Sequence, residues 1–171
     1  MSYHHGDLRR AMTTAAATAV AEQGPAGLSL RELARRAGVS HAAPAHHFGD
    51  KAGVLTAVAA DGFTQLAVAL TEAGDDLLAA GLAYVRFAVD HPGHFAVMFD
   101  RSLLHADDAE LRTAERAASD ALAGLASDAD AARAAWSVAH GFASLWLSGA
   151  ISGPDVGAAA EPVLRRMAAT P

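Results

Sequence analysis

The chain has 171 residues, 52% of them hydrophobic, a formal net charge of −6 and no cysteine. This composition excludes a disulfide framework and a thiolate zinc site, and no apolar run reaches the roughly 18 residues of a membrane-spanning helix. Residues 1–7 lack the charged-then-apolar pattern of a secretion signal, so we expect a cytoplasmic protein.

The pattern of apolar residues and helix breakers predicts an all-α protein. Alanine, the best helix former, is frequent, and no run alternates with the period of a strand. Gly24-Pro25, Gly38 and His91-Pro92 mark ends of helices. About nine helices are predicted, three in a small head and six in a body: about 7–23, 30–37, 41–47, 51–73, 75–90, 92–100, 107–126, 128–151 and 155–169.

The segment 28–48 predicts a helix-turn-helix. Ser29 lies where an N-cap belongs, and Glu32 completes a capping-box pattern three residues later. Gly38 ends the second helix, and Ser40 is expected to cap the third. A tight helix-turn-helix near an N-terminus is a shape that enters the major groove of DNA. From the residues alone, a purely structural helical hairpin stays open as the alternative.

The charge distribution agrees with a nucleic-acid partner for this segment. Residues 1–60 contain six Lys and Arg against four Asp and Glu, whereas the remaining residues contain seven against fifteen. Five of the nine histidines also lie in residues 1–60. DNA affinity depends on where the cations lie rather than on the charge of the whole chain.

The residues from Leu28 to Ser40, followed by His47-Phe48 and Lys51, resemble the DNA-binding head of the TetR family of transcriptional regulators. The opening residues 3–9 resemble the start of one branch of that family. Trp136, His140 and Gly141 match the tryptophan, histidine and glycine after which the C-terminal domain of that branch is named. The resemblance implies a helix-turn-helix DNA-binding domain over 1–50 and an effector-binding and dimerisation domain over 51–171.

The resemblance also implies which residues contact DNA. The hydroxyls of the two serines approach phosphates, the lysine pairs with a phosphate, and the exposed side of the third helix faces the bases. The implied DNA-binding residues are Ser29, Arg31, Ser40, His41, Ala42, Ala43, His46, His47 and Lys51. His47 has an alternative role, which is to pack beside Phe48.

The third helix departs from the family at Pro44-Ala45, where an apolar residue and a tyrosine are usual. Pro44 is tolerated in the first turn of a helix, because the N–H it lacks has no partner there. Ala45 removes an aromatic contact to phosphate. We therefore expect weaker or differently oriented DNA binding than in a typical member.

Apolar and aromatic residues of the body predict a small-molecule pocket, since such sites are apolar cavities with a few polar groups. The candidate pocket residues are Phe87, His91, Phe95, Met98, Phe99, Trp136 and His140. The alternative is that these side chains are simply core. His140 is the best single candidate, although a core histidine held by a hydrogen bond is an equal alternative.

The last two helices are rich in small residues, which let helix axes approach closely and predict a homodimer. His91 and His94 suggest a metal site only loosely, and we predict no metal and no cofactor. No glycine-rich phosphate loop or nucleophile elbow is present, so no enzymatic activity is expected.

Together these features predict a homodimeric repressor that a small-molecule effector releases from a palindromic operator. The main alternative is a helical small-molecule-binding or enzymatic domain whose N-terminal hairpin is only structural. A third possibility keeps DNA binding without an effector, in which case the aromatic residues form a packed core.

Overall fold

The computed structural model describes residues 5–168, and the Tyr3-His4 start of the branch pattern and Ala169 lie outside this range. Within it, nine α-helices and one short 3-10 turn, Arg101–Leu103, confirm the predicted all-α class. The helices are α1 His5–Gly27, α2 Leu30–Ala37, α3 Ala43–Phe48, α4 Lys51–Glu72, α5 Leu77–Asp90, α6 Pro92–Met98, α7 Ala109–Ala123, α8 Ala129–Leu147 and α9 Val156–Ala168.

Side-chain caps begin several of these helices. Ser29 Oγ accepts the N–H of Glu32 at 3.2 Å and so caps α2. Asp76 accepts the N–H of Leu78 at the start of α5, and Asp128 caps α8 in the same way. Each cap satisfies an N–H that has no partner inside its helix. The start of α2 is therefore set by its local sequence, as predicted.

The third helix starts later than the sequence predicts. α3 begins at Ala43 instead of His41, and its N-cap residue, Ala42, offers no side-chain hydrogen bond. The expectation that the Ser40 side chain caps this helix is wrong, because it is the backbone carbonyl of Ser40 that accepts the N–H of Ala43, at 3.0 Å. Pro44 follows in the first turn and is buried. Since proline has no N–H to satisfy there, the helix forms without a capping hydroxyl.

The first helix is interrupted at Gly24. Gly24 has φ 73° and ψ 165°, outside the helical region, and Pro25 follows it. Glycine accepts this positive φ without a steric penalty. The continuous part of α1 therefore ends at Gln23, where Gly24-Pro25 predicts it.

The described chain forms two compact units. The first consists of the residues up to 63 together with 93–114, and the second of 64–92 together with the residues from 115 onward. The first unit holds α1 to α3, the first part of α4, and α6. Its largest fully buried side chains are Met12, Val20, Leu33, Pro44, Val54, Leu55, Val58, Val97, Met98 and Leu111. The division predicted from the sequence, 1–50 and 51–171, stays a prediction.

α6 packs at very short range inside the first unit. A Cβ atom built on Gly93 would lie 2.0 Å from the carbonyl oxygen of Ala17 in α1. A Cβ built on Gly62 in α4 would meet Met98 Sδ at 2.7 Å. Between these contacts, the buried His94 forms a 3.0 Å hydrogen bond with Asp61. The approach of the helices therefore requires glycine at position 93, whereas a methyl group at position 62 would have to displace the flexible end of the Met98 side chain.

In the second unit, α5 packs against α8 and α9. Ala80, Tyr84 and Ala88 form the buried side of α5. A Cβ built on Gly81 would lie 3.2 Å from Leu164, so α9 approaches closely here as well. Small residues on α5 thus allow three helices to share one core.

α4 revises the expectation that no segment is apolar enough to span a membrane. Its 22 residues include a window of mean hydropathy 1.5, sufficient by length and composition, and 61% of that window is buried inside the protein. The core helix of a soluble protein has the same properties. The ionisable Asp61 in this helix is paired with His94 within the first unit.

Candidate nucleic-acid interface

The helix-turn-helix is held by backbone geometry at Gly38. Gly38 has φ 65° and ψ 32°, the left-handed conformation that ends α2. The N–H of Val39 then bonds to the carbonyl of Ala34 at 3.0 Å. Leu33 and Ala34 are completely buried beneath this turn. Leu33 and Ala34 therefore form the inward face of α2, whereas Leu30 is only half-buried.

One side of the turn and of α3 faces solvent. Ser40, His41, Ala42, Ala45 and His46 are exposed and form what we call the reading face. They are available to a ligand as large as duplex DNA.

The remaining residues of the predicted interface lie beside the reading face. Ser29, the N-cap of α2, and Arg31 on α2 are exposed, whereas Ala43 is half-buried. His47 is half-buried too, with its ring centroid 6.4 Å from that of Phe48 and 5.4 Å from that of His46. His47 thus packs beside Phe48, as its alternative role predicts.

Two of the arginines on α2 are engaged with carboxylates. Arg35 donates two hydrogen bonds to Glu32, at 2.8 and 2.6 Å. Arg36 donates to Glu32 at 2.8 Å and to Glu22 of α1 at 2.6 Å. Hydrogen bonds from Arg35 and then Arg36 lower the pKa of Glu32 to about 2. Sequence reasoning missed this cluster, although the three- and four-residue spacing on one helix was a signal for it.

Other cations of the head also have partners. Arg9 pairs with Glu110 at 2.9 Å, and its guanidinium carbon lies 5.4 Å from the centre of the Phe48 ring. Lys51, which the resemblance assigns to a phosphate, donates from Nζ to the carbonyl of Ala26 at 2.8 Å. Among the described residues, Arg31 makes no hydrogen bond or ion pair and is exposed. Arg31 is therefore the arginine most available to a phosphate.

His105 fastens a later part of the chain to the start of α4. Its Nε2 donates to Oδ1 of Asp50 at 2.9 Å, and its backbone N–H donates to Thr56 Oγ1 at 2.9 Å. Asp50 also accepts the N–H of Gly53 at 2.8 Å and so caps α4. These two contacts, first that of Gly53 and then that of His105, hold the pKa of Asp50 below its usual range. The role of His105 has no local sequence signal.

The second unit contains an open groove of about 690 Å³ between α4 and α5. Two of the predicted pocket residues, Phe87 and His91, line it, and their ring centroids are 5.0 Å apart. The other lining residues are Thr64, Gln65, Val68, Ala69, Glu72, Ala73, Ala79, Leu82, Ala83, Arg86 and Asp90. The groove combines an apolar lining with charged groups, as ligand sites do.

Three further candidates for the pocket pack in the core of the first unit. Phe99 lies with its ring centroid 5.4 Å from that of Phe63 and 5.5 Å from that of Phe95. Met98 is 1% exposed and packs against Gly62. These contacts correspond to the core alternative that the sequence left open.

The last two candidates, Trp136 and His140, form a hydrogen-bonded group with Tyr84 in the second unit. Trp136 Nε1 donates to Tyr84 Oη at 3.2 Å, and the Tyr84 hydroxyl lies 2.9 Å from His140 Nδ1. Burial lowers the pKa of His140 and raises the pKa of Tyr84 above its usual range. A neutral His140 accepts the tyrosine hydroxyl hydrogen, so this histidine has the partner that its position requires.

The helix-turn-helix with its solvent-facing reading face places the chain among the DNA-binding transcriptional regulators. Residues 13–58 match the model of "Bacterial regulatory proteins, tetR family", and residues 77–170 match that of "Tetracyclin repressor-like, C-terminal domain". The chain belongs to the TetR family of transcriptional regulators.

Solved structures agree with this assignment. A protein of unknown function from Rhodococcus sp. RHA1 is 32% identical, with a TM-score of 0.80, over 98% of this chain and 96% of that one. A tetR-family regulatory protein from Rhodococcus RHA1 is 21% identical, with a TM-score of 0.73, over 94% of both chains. The multidrug binding protein EbrR, complexed with imidazole, is 22% identical, with a TM-score of 0.62, over 95% of this chain and 90% of that one. No curated protein matches the sequence.

Proposed function

We propose that this regulator is a homodimeric repressor that binds a palindromic operator and leaves it when a small molecule binds the body. The observation that carries the proposal is the reading face, which the buried Leu33, Ala34 and Pro44 hold on a fixed scaffold. A two-fold dimer presents two such faces to half-sites about one DNA turn or a multiple of it apart. The protein acts in the cytoplasm, where its DNA lies.

The exposed Arg31 provides the test of DNA binding. Substituting Arg31→Ala is expected to weaken binding to a duplex selected from a random pool, and to reduce the salt slope by about one. Arg112→Ala is the matched control, because Arg112 is an exposed arginine on α7 and does not belong to the reading face. Equal losses in the two variants would contradict the proposed interface.

Exposed apolar side chains on α8 and α9 support the homodimer. Trp136 is 41% exposed, Leu145 47%, Leu147 40% and Val163 43%. Large apolar residues concentrated on neighbouring helices mark protein–protein interfaces. Sedimentation is expected to give a dimer at micromolar concentration for the wild type and a monomer for Leu145→Glu. The control Val68→Glu, at an exposed valine of α4, should stay dimeric, and a monomeric wild type would contradict the proposal.

The groove between α4 and α5 is the proposed effector site. Its volume is within the range of small-molecule sites, and Phe87 contributes an aromatic surface. EbrR, a protein of the same fold, holds a small molecule in its structure. A thermal-shift screen should yield compounds that stabilise the protein and release the selected duplex. Ala83→Trp, which fills the groove, should abolish both effects, and compounds that act equally on this variant would place the effector elsewhere.

A further inference from the structure

The reading face has an unusual source of positive charge. Between Arg36 and Lys51 the sequence contains no lysine or arginine and three histidines. Two of them, His41 and His46, are exposed on the reading face. A histidine is neutral or cationic according to pH, and an ordinary imidazole changes its charge between about pH 5 and pH 8.

Most of the arginines around the reading face form ion pairs with carboxylates of the protein. Arg35 and Arg36 share the carboxylate of Glu32, and Arg36 also pairs with Glu22. On α1, Arg9 pairs with Glu110 and Arg10 lies 3.7 Å from Asp7. Of the six Lys and Arg side chains in residues 1–60, two have no carboxylate partner among the described residues: Arg31 and Lys51. The head therefore offers phosphates little fixed charge apart from these two.

We propose that protonation of His41 and His46 supplies the positive charge that the reading face needs, so that operator binding tightens as the pH falls from about 8 to about 6. This inference rests on the proposed DNA contacts. The regulator then responds to pH through its DNA-binding surface, independently of its response to a small-molecule effector.

The carboxylates near these histidines are bonded to other groups of the protein. The packed elements carry Arg9 on α1, then Arg31, Glu32, Arg35 and Arg36 on α2, and Asp50 and Lys51 at the start of α4. Glu32 is bonded to two arginines, and Asp50 to Gly53 and His105. Among the described residues, neither the side chain of His41 nor that of His46 makes a hydrogen bond or ion pair, and the His46 ring contacts the ring of His47. Both of these carboxylates therefore have partners other than the two imidazoles.

The sign of the effect follows from linkage. A phosphate beside an imidazole favours its charged form, so DNA binding and protonation promote each other. Each coupled histidine contributes up to about a tenfold change in affinity per pH unit near its titration. Each phosphate newly neutralised also steepens the logarithmic dependence of affinity on salt by about 0.9. Two histidines are therefore expected to make the salt slope steeper at pH 6 than at pH 8 by about 1 to 2.

The experiment measures fluorescence anisotropy of a labelled duplex, selected at pH 6 from a random pool, at constant ionic strength between pH 5.5 and 8.5. Wild type is expected to bind at least tenfold more tightly at pH 6 than at pH 8. The double variant His41→Gln, His46→Gln should lose most of this dependence, whereas His41→Lys, His46→Lys should bind about equally at both pH values. His105→Gln is the matched control and should keep the wild-type dependence, since His105 lies outside the reading face and bonds to Asp50.

Three outcomes would overturn the inference: wild-type affinity constant within twofold from pH 6 to pH 8, a pH dependence that survives in the Gln double variant, or one that His105→Gln abolishes. If the Gln variant binds too weakly to titrate, the Lys variant decides, because it must remove the pH dependence while retaining affinity. Failure of the wild type to bind duplex DNA at any pH or salt concentration would count against the proposed DNA contacts themselves. The two failures are therefore distinguishable.

Discussion

His105 and Asp50 are joined by a 2.9 Å hydrogen bond across 55 positions of sequence, at the residue that caps α4. The segment after α6 is thereby fixed next to the end of α3. Replacing His105→Ala removes one of the two main causes that lower the pKa of Asp50. We expect the pKa of Asp50 to rise toward its ordinary value, as followed by carboxyl NMR titration. His41→Ala, which removes another histidine of the same unit, should leave the pKa of Asp50 unchanged.

Glu32 forms ion pairs with two arginines of α2 and so competes with DNA phosphates for them. Removing this carboxylate should therefore strengthen DNA binding. In Glu32→Gln the hydrogen bonds of Arg35 and Arg36 to the Glu32 carboxylate are lost, so Arg35 becomes available to phosphates, whereas Arg36 keeps its ion pair with Glu22. Binding to the selected duplex is expected to tighten, with a salt slope steeper by about 1. Glu110→Gln, which frees Arg9 instead, provides a comparison. An unchanged salt slope in Glu32→Gln would show that the arginines do not reach DNA.

The same carboxylate makes stability depend on pH. The pKa of Glu32 is lowered from 4.5 to about 2 in the folded protein, so the unfolded chain takes up its proton first on acidification. The stabilising contribution of Glu32 is therefore present above pH 4.5 and is lost as the pH falls toward 2. Urea unfolding of Glu32→Gln should show a weaker loss of stability over this window than the wild type. Parallel curves for the two proteins would contradict this assignment.

The contact of Gly93 with Ala17 predicts that a single methyl group destabilises the first unit. A Cβ at position 93 would overlap a backbone carbonyl, which cannot move as a side-chain end can. Gly93→Ala is therefore expected to lower the free energy of unfolding by about 1–3 kcal/mol, measured in urea. Gly141→Ala is the control, because nothing lies within 4 Å of a Cβ there and alanine favours the helix. A neutral Gly93→Ala would mean that α6 does not pack as described.

Ala45 is exposed on the reading face, at the position where the family usually has a tyrosine. Replacing Ala45→Tyr adds a phenol that can reach a phosphate, and it should tighten binding to the selected duplex. A gel-shift titration measures the effect, with Ala42→Tyr as a comparison on the same face. Unchanged affinity in Ala45→Tyr would contradict the account of why this head differs from the family.

Local patterns predicted the helix-turn-helix well because its determinants are local. Ser29 caps α2 through a bond to a residue three positions away, and Gly38 ends the helix by its own conformation. The start of α3 was misplaced because Ser40 uses its carbonyl rather than its hydroxyl, a choice that sequence does not distinguish.

Contacts between residues that are distant in the sequence could not be predicted from local patterns. Gly93 against Ala17 and His105 with Asp50 depend on how the chain returns to the head, for which the sequence carries no local signal. The aromatic residues of the body show the same limit. Their composition indicated a pocket, yet Phe95 and Phe99 pack with each other in one unit, and Trp136 bonds to Tyr84 in the other. Apolar periodicity identifies buried faces without saying which of them meet.

The path of the chain through its two units limits how this regulator can be divided. The backbone leaves the first unit after residue 63, returns at 93 and leaves again after 114. A fragment ending at residue 63 would lack α6, and the surfaces around Ala17 and Gly62 that α6 covers would be open to water. The DNA-binding head therefore cannot be transplanted as an N-terminal piece, and a chimaeric regulator built from it must carry residues 93–114 as well.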